Sequence, residues 1–251
     1  MSDNPALAMV ALKDVEAPVP ERVFAELKKR WPDAPPPREV ASKNGALTFK
    51  LDDALAAVAL MPAPIPWSAL EGPCAAAWYW PKAAEAMKAH PSHLLVTLSG
   101  GRRTPIDRCL LLTALTASVT AVSKAAGVYW GAGPVLQSPA AFLEVASEMK
   151  QDYLPLRLWI DFRLVRERPG VHSVYTTGLD AFGHMDLELP KSRQKPEALF
   201  DLAFNAAHYL LDRGPVLKDG DTFGTSAEQK IKVRHVPSRW GHAGKILSLN
   251  F

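Results

Sequence analysis

The sequence predicts an α+β protein. Short apolar runs of strand length recur along the whole chain. Between them lie amphipathic segments that open on proline or a hydroxyl residue and carry the helical spacing of three to four. The 251 residues, 48% hydrophobic with a formal net charge of +3, suffice for one large core or two of about 120 residues each. High apolar content with low net charge argues against disorder.

Met9 to Lys13 is a short strand. Pro20 to Trp31 is a helix: Pro20 suits the first position and Glu21 the positive end. Val23, Phe24, Leu27 and Trp31 share a face, and Lys28, Lys29 and Arg30 lie toward the carboxyl end. Pro35 to Pro37 stops it and opens a linker. Ala46 to Leu51 alternates as a half-buried strand, and Ala56 to Leu60 is its partner across a turn at Asp52 and Asp53. Met61 to Pro66 leaves the sheet, because repeated prolines cannot donate ladder hydrogen bonds. Ala75 to Ala89 is helical, started or kinked at Pro81, and His93 to Leu98 is the next strand. The order β-α-β-β-α-β over these hundred residues is compatible with a ferredoxin-like sandwich.

Gly100 and Gly101 punctuate the chain. Thr104, Pro105 and Asp107 then form a capping arrangement for a helix running to Ala126. Val128 to Trp130 is extended. Ser138 caps a helix from Pro139 to Lys150, Leu156 to Val165 alternates as a strand, and Val171 to Thr177 and Met185 to Leu189 add two more. Pro196 to Asp212 is an amphipathic helix, and Lys230 to Val236 and Lys245 to Leu249 are closing strands. The expectation is two associated ferredoxin-like lobes, residues 1–100 and 101–251 with a basic tail, divided near Ser99 to Arg103. The alternative is a fused, duplicated α/β sandwich with one continuous core.

Several function classes find no support. Cys109 to Ser123 is only 15 uncharged residues with five hydroxyls, short of the roughly 20 apolar residues a bilayer asks for. Pro62, Pro64 and Pro66 interrupt the uncharged stretch Ala54 to Leu70. Met1 to Asn4 lacks the basic region of a signal peptide. Cys74 and Cys109 make no disulfide framework, so a reduced, cytoplasmic protein is expected. The balance of 29 basic and 26 acidic residues gives no general nucleic-acid signal. From Glu228 to Phe251 the basic residues Lys230, Lys232, Arg234, Arg239 and Lys245 outnumber Glu228, as on a solvated edge strand or a patch for phosphates. No dinucleotide fingerprint, Walker lysine or G-x-S-x-G elbow occurs, and no cofactor is indicated.

The polar clusters leave several readings open. If His184 to Glu188 is a strand, its period of two puts His184, Asp186 and Glu188 on one face, a solvated row or the wall of a binding pocket. The preceding turn adds Thr176 and Thr177 as hydroxyl donors, with Gly178 and Gly183 as turn residues. Tyr129 and Trp130, in a glycine-rich segment, form a recognition surface or close the core. Pro91 in His90-Pro91-Ser92-His93 breaks helical spacing, so these histidines are structural unless a turn joins them with other ligands. Trp78, Tyr79 and Trp80 cannot all face one side.

Six segments in order resemble an uncharacterised bacterial family, domain of unknown function 4261. They are MPAPIPW (Met61 to Trp67), AWYWP (Ala77 to Pro81), HPSHLLVTL (His90 to Leu98), GVYWGAG (Gly127 to Gly133), LPLRLWIDF (Leu154 to Phe162) and TTGLDAFGHMDLEL (Thr176 to Leu189). The resemblance spans roughly residues 7 to 213 and fades beyond Gly214. It implies no catalytic residue, cofactor or substrate. The expected function is a noncatalytic module that binds a protein or small ligand through Tyr129, Trp130, Thr176, Thr177, His184, Asp186 and Glu188. The alternative is a metal-assisted hydrolase with ligands drawn from His90, His93, His184 and Glu188.

Overall fold

The computed structural model of the chain describes residues 6–224 and 230–251. Met1 to Asn4 and Glu228 of the basic tail lie outside the described residues. Contacts divide the chain into two compact units, Met1–Leu158 and Trp159–Phe251. The α+β class is observed, with two sheets and several helices.

The first unit contains β1 (Ala6–Leu12), α1 (Pro20–Arg30), β2 (Pro37–Lys43), β3 (Ala46–Leu51), β4 (Ala54–Met61), α2 (Trp67–Ala76), α3 (Ala83–Ala89) and β5 (Ser92–Gly100). It continues with α4 (Pro105–Val122), β6 (Ala125–Trp130), β7 (Val135–Gln137) and α5 (Pro139–Glu148), and α6 (Leu156–Trp159) spans the division. Its strands form a seven-stranded antiparallel sheet in the order β2-β3-β4-β5-β1-β6-β7. Residues opposite one another share a face. Through the pairings Phe49↔Ala56, Ala56↔Leu98, Val10↔Leu94 and Val10↔Val128, one face is apolar across most of the sheet. Helices α1 and α4 cover it; Phe24 of α1 meets Phe49 edge to face, ring centres 5.0 Å apart. Helix α4 is long and apolar enough to cross a membrane, but most of its side chains are buried within the protein. Its buried Thr113, Ser118 and Thr120 donate to carbonyls four residues back, which satisfies their hydroxyls inside the core.

On the opposite face Met9, Ala11 and Tyr129 pack with Ile65, Leu70 and Met87 from the region of α2 and α3. A Cβ at Gly127 would stand 2.5 Å from Met87 Sδ and 3.0 Å from the Trp80 ring. The glycine is what lets α3 approach β6 so closely.

The strand order corrects the ferredoxin-like expectation. That arrangement places the first strand between the third and the last; here β5 separates β1 from β4. The reason is local. The one helix expected over Ala75 to Ala89 is two, α2 and α3, packed together around a turn at Ala77 to Lys82. A single helix carries the chain to the far end of a sheet and returns a parallel strand, whereas a helical hairpin returns it to the near end. Strand β5 therefore runs antiparallel beside β4.

The expected boundary at Ser99 to Arg103 falls inside this unit, in the turn between β5 and α4. Helix α4 packs on β1, β5 and α1, so no separate core begins there. Leu156 to Trp159 is helix rather than strand. Leu156, Leu158, Trp159 and Ile160 are all buried, and burial on every side overrides the alternating pattern.

The second unit contains β8 (Asp161–Arg168), β9 (Val171–Thr177), a 3-10 turn (Leu179–Phe182), β10 (Leu187–Ser192), α7 (Pro196–Arg213), β11 (Thr222–Phe223), β12 (Ile231–Pro237) and β13 (Lys245–Asn250). The sheet order is β11-β12-β13-β10-β9-β8, parallel only between β10 and β13. Helix α7 packs on β8, β9 and β10, with Phe162 against Phe200 and Phe204 at 5.5 and 5.6 Å. The alternation then turns a lateral row of Arg163, Tyr175, Glu188, Ser248 and Arg234 to the face away from α7. Edge strands β2 and β8 are both charged and irregular in register, between Arg38 and Ala41 and between Arg166 and Arg168. These features discourage edge-to-edge pairing.

Candidate functional site

The polar residues singled out near residue 180 converge in the second unit, but not as one open strand face. Strand β10 begins at Leu187, so Asp186 stands just before it, 6% exposed, and Glu188 within it, 2% exposed. Asp186 closes the preceding loop on itself. Its Oδ1 accepts from Thr176 Oγ1 at 2.8 Å and Leu179 N at 3.2 Å, and its Oδ2 from Gly178 N at 3.4 Å. Thr176, fully buried, also accepts from Leu187 N at 2.8 Å. A carboxylate at the amino end of the 3-10 turn meets N–H groups that would otherwise lack partners. Burial raises the Asp186 carboxyl above its ordinary value, against the lowering pull of Thr176, Leu179 and His242.

Glu188 ties a distant segment to the sheet. Its Oε1 accepts from Ser238 Oγ at 2.7 Å and from Arg239 N at 3.0 Å. Ser238 Oγ also lies 3.0 Å from Trp240 N and 2.9 Å from His242 Nδ1. A hydroxyl has one proton and two lone pairs. With the proton given to Glu188, both pairs accept, one from Trp240 N–H and one from His242 Nδ1–H. His242 Nε2 lies 3.1 Å from Thr177 Oγ1 and 3.9 Å from Asp186 Oδ2. The assignment satisfies every member of a chain running Thr177, His242, Ser238, Glu188.

Aromatic and cationic groups surround this chain. Trp240 stacks on Tyr175 with ring centres 4.7 Å apart, and His242 meets Tyr175 edge-on at 6.0 Å. The Arg239 guanidinium lies 5.6 Å from the Trp240 ring centre and pairs with Glu167 at 2.9 Å. Arg163 pairs with Asp161, whose carboxyl burial pushes up.

The other sequence candidates lie elsewhere. His184 is half-buried; its ring Nδ1 has no hydrogen-bond partner among the described residues, and desolvation lowers its pKa. Tyr129 and Trp130, in the first unit, are 9% and 2% exposed. As neighbours on β6 they point to opposite faces of the sheet, Tyr129 into the α2–α3 cluster and Trp130 beside Ala8. They serve packing in the first unit and form no common surface. His90 and His93, also in the first unit, hold backbone groups of the Pro62 to Pro66 loop. Among the described residues no group of three or more His, Cys, Asp or Glu is placed to hold a metal ion. Both cysteines are free thiols, and burial pushes Cys109 up to about 12. Of the Trp-Tyr-Trp run, Trp80 packs inward while Trp78 is 77% exposed.

Sequence reasoning missed Ser238, Trp240 and His242. The available signal was Pro237-Ser238-Arg239-Trp240-Gly241-His242, a hydroxyl and an imidazole four apart around a glycine whose φ is +87°. An open depression of about 350 Å³ in the second unit, lined by Asn205, Tyr209, Leu217, Thr222, Phe223 and Gly224, contains none of the candidate residues.

These features define the second unit as a mixed sheet with one helix-covered face and one polar face closed by its own loop. Residues 175–241 match the family described as domain of unknown function (DUF4261), and the chain contains that domain over this range. The match takes in all of TTGLDAFGHMDLEL and continues past Gly214 to residue 241, beyond the expected limit of the resemblance, while the other five segments lie outside it. No curated protein and no solved structure matches the chain.

Proposed function

We propose that the chain is a noncatalytic, cytoplasmic binding module whose recognition surface is the polar sheet face of the second unit beside the loop Pro237 to His242. The observation that carries this reading is that Ser238, at the centre of a constellation of catalytic residue types among the described residues, has every hydrogen-bonding position engaged. Thr177, His242, Ser238 and Glu188 stand in the order of nucleophile, base and orienting groups. However, Ser238 has no proton or lone pair left for a substrate. The Gly178 and Leu179 N–H groups beside Thr177, donors of the kind an oxyanion hole uses, are engaged with Asp186. The chain fastens a loop, and the fastened loop presents other groups.

Those groups favour a protein partner over a small molecule. Tyr, Trp and Arg dominate the energetics of protein interfaces, and Tyr175, Trp240, Arg239 and Arg163 cluster here. Arg239 and Trp240 retain exposed surface. The test is affinity capture with wild type and a Trp240→Ala/Arg239→Ala double variant. Both substitutions keep the backbone N–H groups that bind Glu188 and Ser238. A partner retained by wild type and lost by the variant supports the reading; equal retention by both contradicts it. Labelling of Ser238 or Thr177 by a fluorophosphonate probe, or ester hydrolysis abolished by His242→Ala, would replace it with an enzymatic one.

A further inference from the structure

The first unit holds two buried histidines that the proposed binding surface does not use, and both grip the same loop. Pro62 to Pro66 joins β4 to α2, and its prolines leave few N–H groups to anchor it. Ile65 N–H donates to His90 Nε2 at 2.7 Å, and His90 Nδ1 lies against the Met87 carbonyl. The Ala63 carbonyl accepts from His93 Nδ1 at 2.8 Å. His90 is 3% exposed, His93 7%, and Ile65, 2% exposed, is a core member with Leu70, Met87 and Tyr129.

The two grips differ in kind. His93 only donates at Nδ1, a bond that either charge state can make. At His90 one nitrogen faces an acceptor and the other a donor, a pattern that only the neutral ring protonated at Nδ1 satisfies. A second proton on His90 would set an N–H of the ring against the N–H of Ile65 at 2.7 Å. We infer that Pro62 to Pro66 is an acid-released latch: protonation of His90 expels the Ile65 amide and loosens the loop, while His93 keeps hold of Ala63.

The surroundings resist that protonation. Desolvation holds the His90 imidazole below its ordinary 6.5, with a smaller contribution in the same direction from the charge of His93, and the Met87 carbonyl opposes both. Nearby elements carry Lys88 and Glu85 on α3, Cys74 on α2, His93 on β5 and Tyr129 on β6. His93 is the charge that acts on His90. Lys88 lies 4.6 Å from the Trp67 ring centre instead.

The test is the hydrogen-exchange protection factor of the Ile65 amide in the full chain at about pH 7.5 and about pH 5. In wild type, protection should fall by about tenfold or more at the lower pH. His90→Gln keeps an acceptor for Ile65 and cannot titrate, so its protection should stay level; His93→Gln should retain the acid response. Should His90→Gln fail to fold, ring ¹⁵N shifts of the wild-type histidines decide the matter. They should show His90 protonated at Nδ1 at neutral pH and its titration coinciding with the loss of Ile65 protection. Protection that ignores the titration of His90, or an acid response that survives in folded His90→Gln, overturns the latch.

Discussion

The two units bury their polar groups in opposite senses. In the first unit the histidines His90 and His93 are held against main-chain groups of one loop, and His90 is needed neutral. In the second, the carboxylates Asp186 and Glu188 receive hydroxyl and N–H donors from segments up to 51 residues away. Burial disfavours the charged form of each, so it lowers His90 and raises Asp186. The consequences for stability have opposite signs. The His90 contribution is present above the unfolded pKa of 6.5 and is lost as pH falls toward the lower folded value. The Asp186 contribution is present below 3.8 and is lost as pH rises through the raised folded value. Acid loosens a grip in one unit and relieves a buried charge in the other.

This contrast can be broken at several points. The first unit rests on apolar burial, and the largest effect is expected there. Leu112→Ala on α4, where the side chain is fully buried, should lower stability by about 2–5 kcal/mol in urea unfolding. A loss below about 1 kcal/mol would mean that α4 is not holding the sheet together.

Next in size is the stitching of the second unit. Glu188→Ala strands the Ser238 hydroxyl and the Arg239 N–H, and should cost about 1–3 kcal/mol. Glu188→Gln keeps an acceptor and should lose less than half as much. Equal losses would show that the charge of Glu188, rather than its hydrogen bonds, fastens the loop.

The smallest effect should come from Asp186→Asn, which can retain the acceptor for Thr176 and Leu179 and removes the titration. Measured against wild type from about pH 4 to neutrality, its relative stability should rise with pH and then level off. A fall with pH would reverse the sign assigned to Asp186.

Much of the local structure was legible. Thr104 accepts from Asp107 N at 3.1 Å and Ser138 from Ala141 N at 3.2 Å, as their positions ahead of proline suggested. The strands expected over Ala46–Leu51 and Val171–Thr177 have those bounds. The candidate site was legible in part. Thr176, Thr177, Asp186 and Glu188 do lie in one network, but the alternating pattern promised an open row and concealed that the chain itself occupies it. Tyr129 and Trp130 carried a misleading signal, since aromatic side chains serve cores and interfaces equally well. The family match over residues 175–241 covers much of the same network.

Composition, capping residues and apolar spacing determined the α+β class and where most helices begin, because those preferences act within a few residues of each position. The tertiary structure decided the rest. A helical hairpin in place of one helix put β5 beside β4, and the return of β12 and its following loop brought Ser238 and His242 to Glu188 and Thr177. Contacts across 50 and 65 residues depend on how the whole chain closes its sheets, and no local spacing encodes that closure.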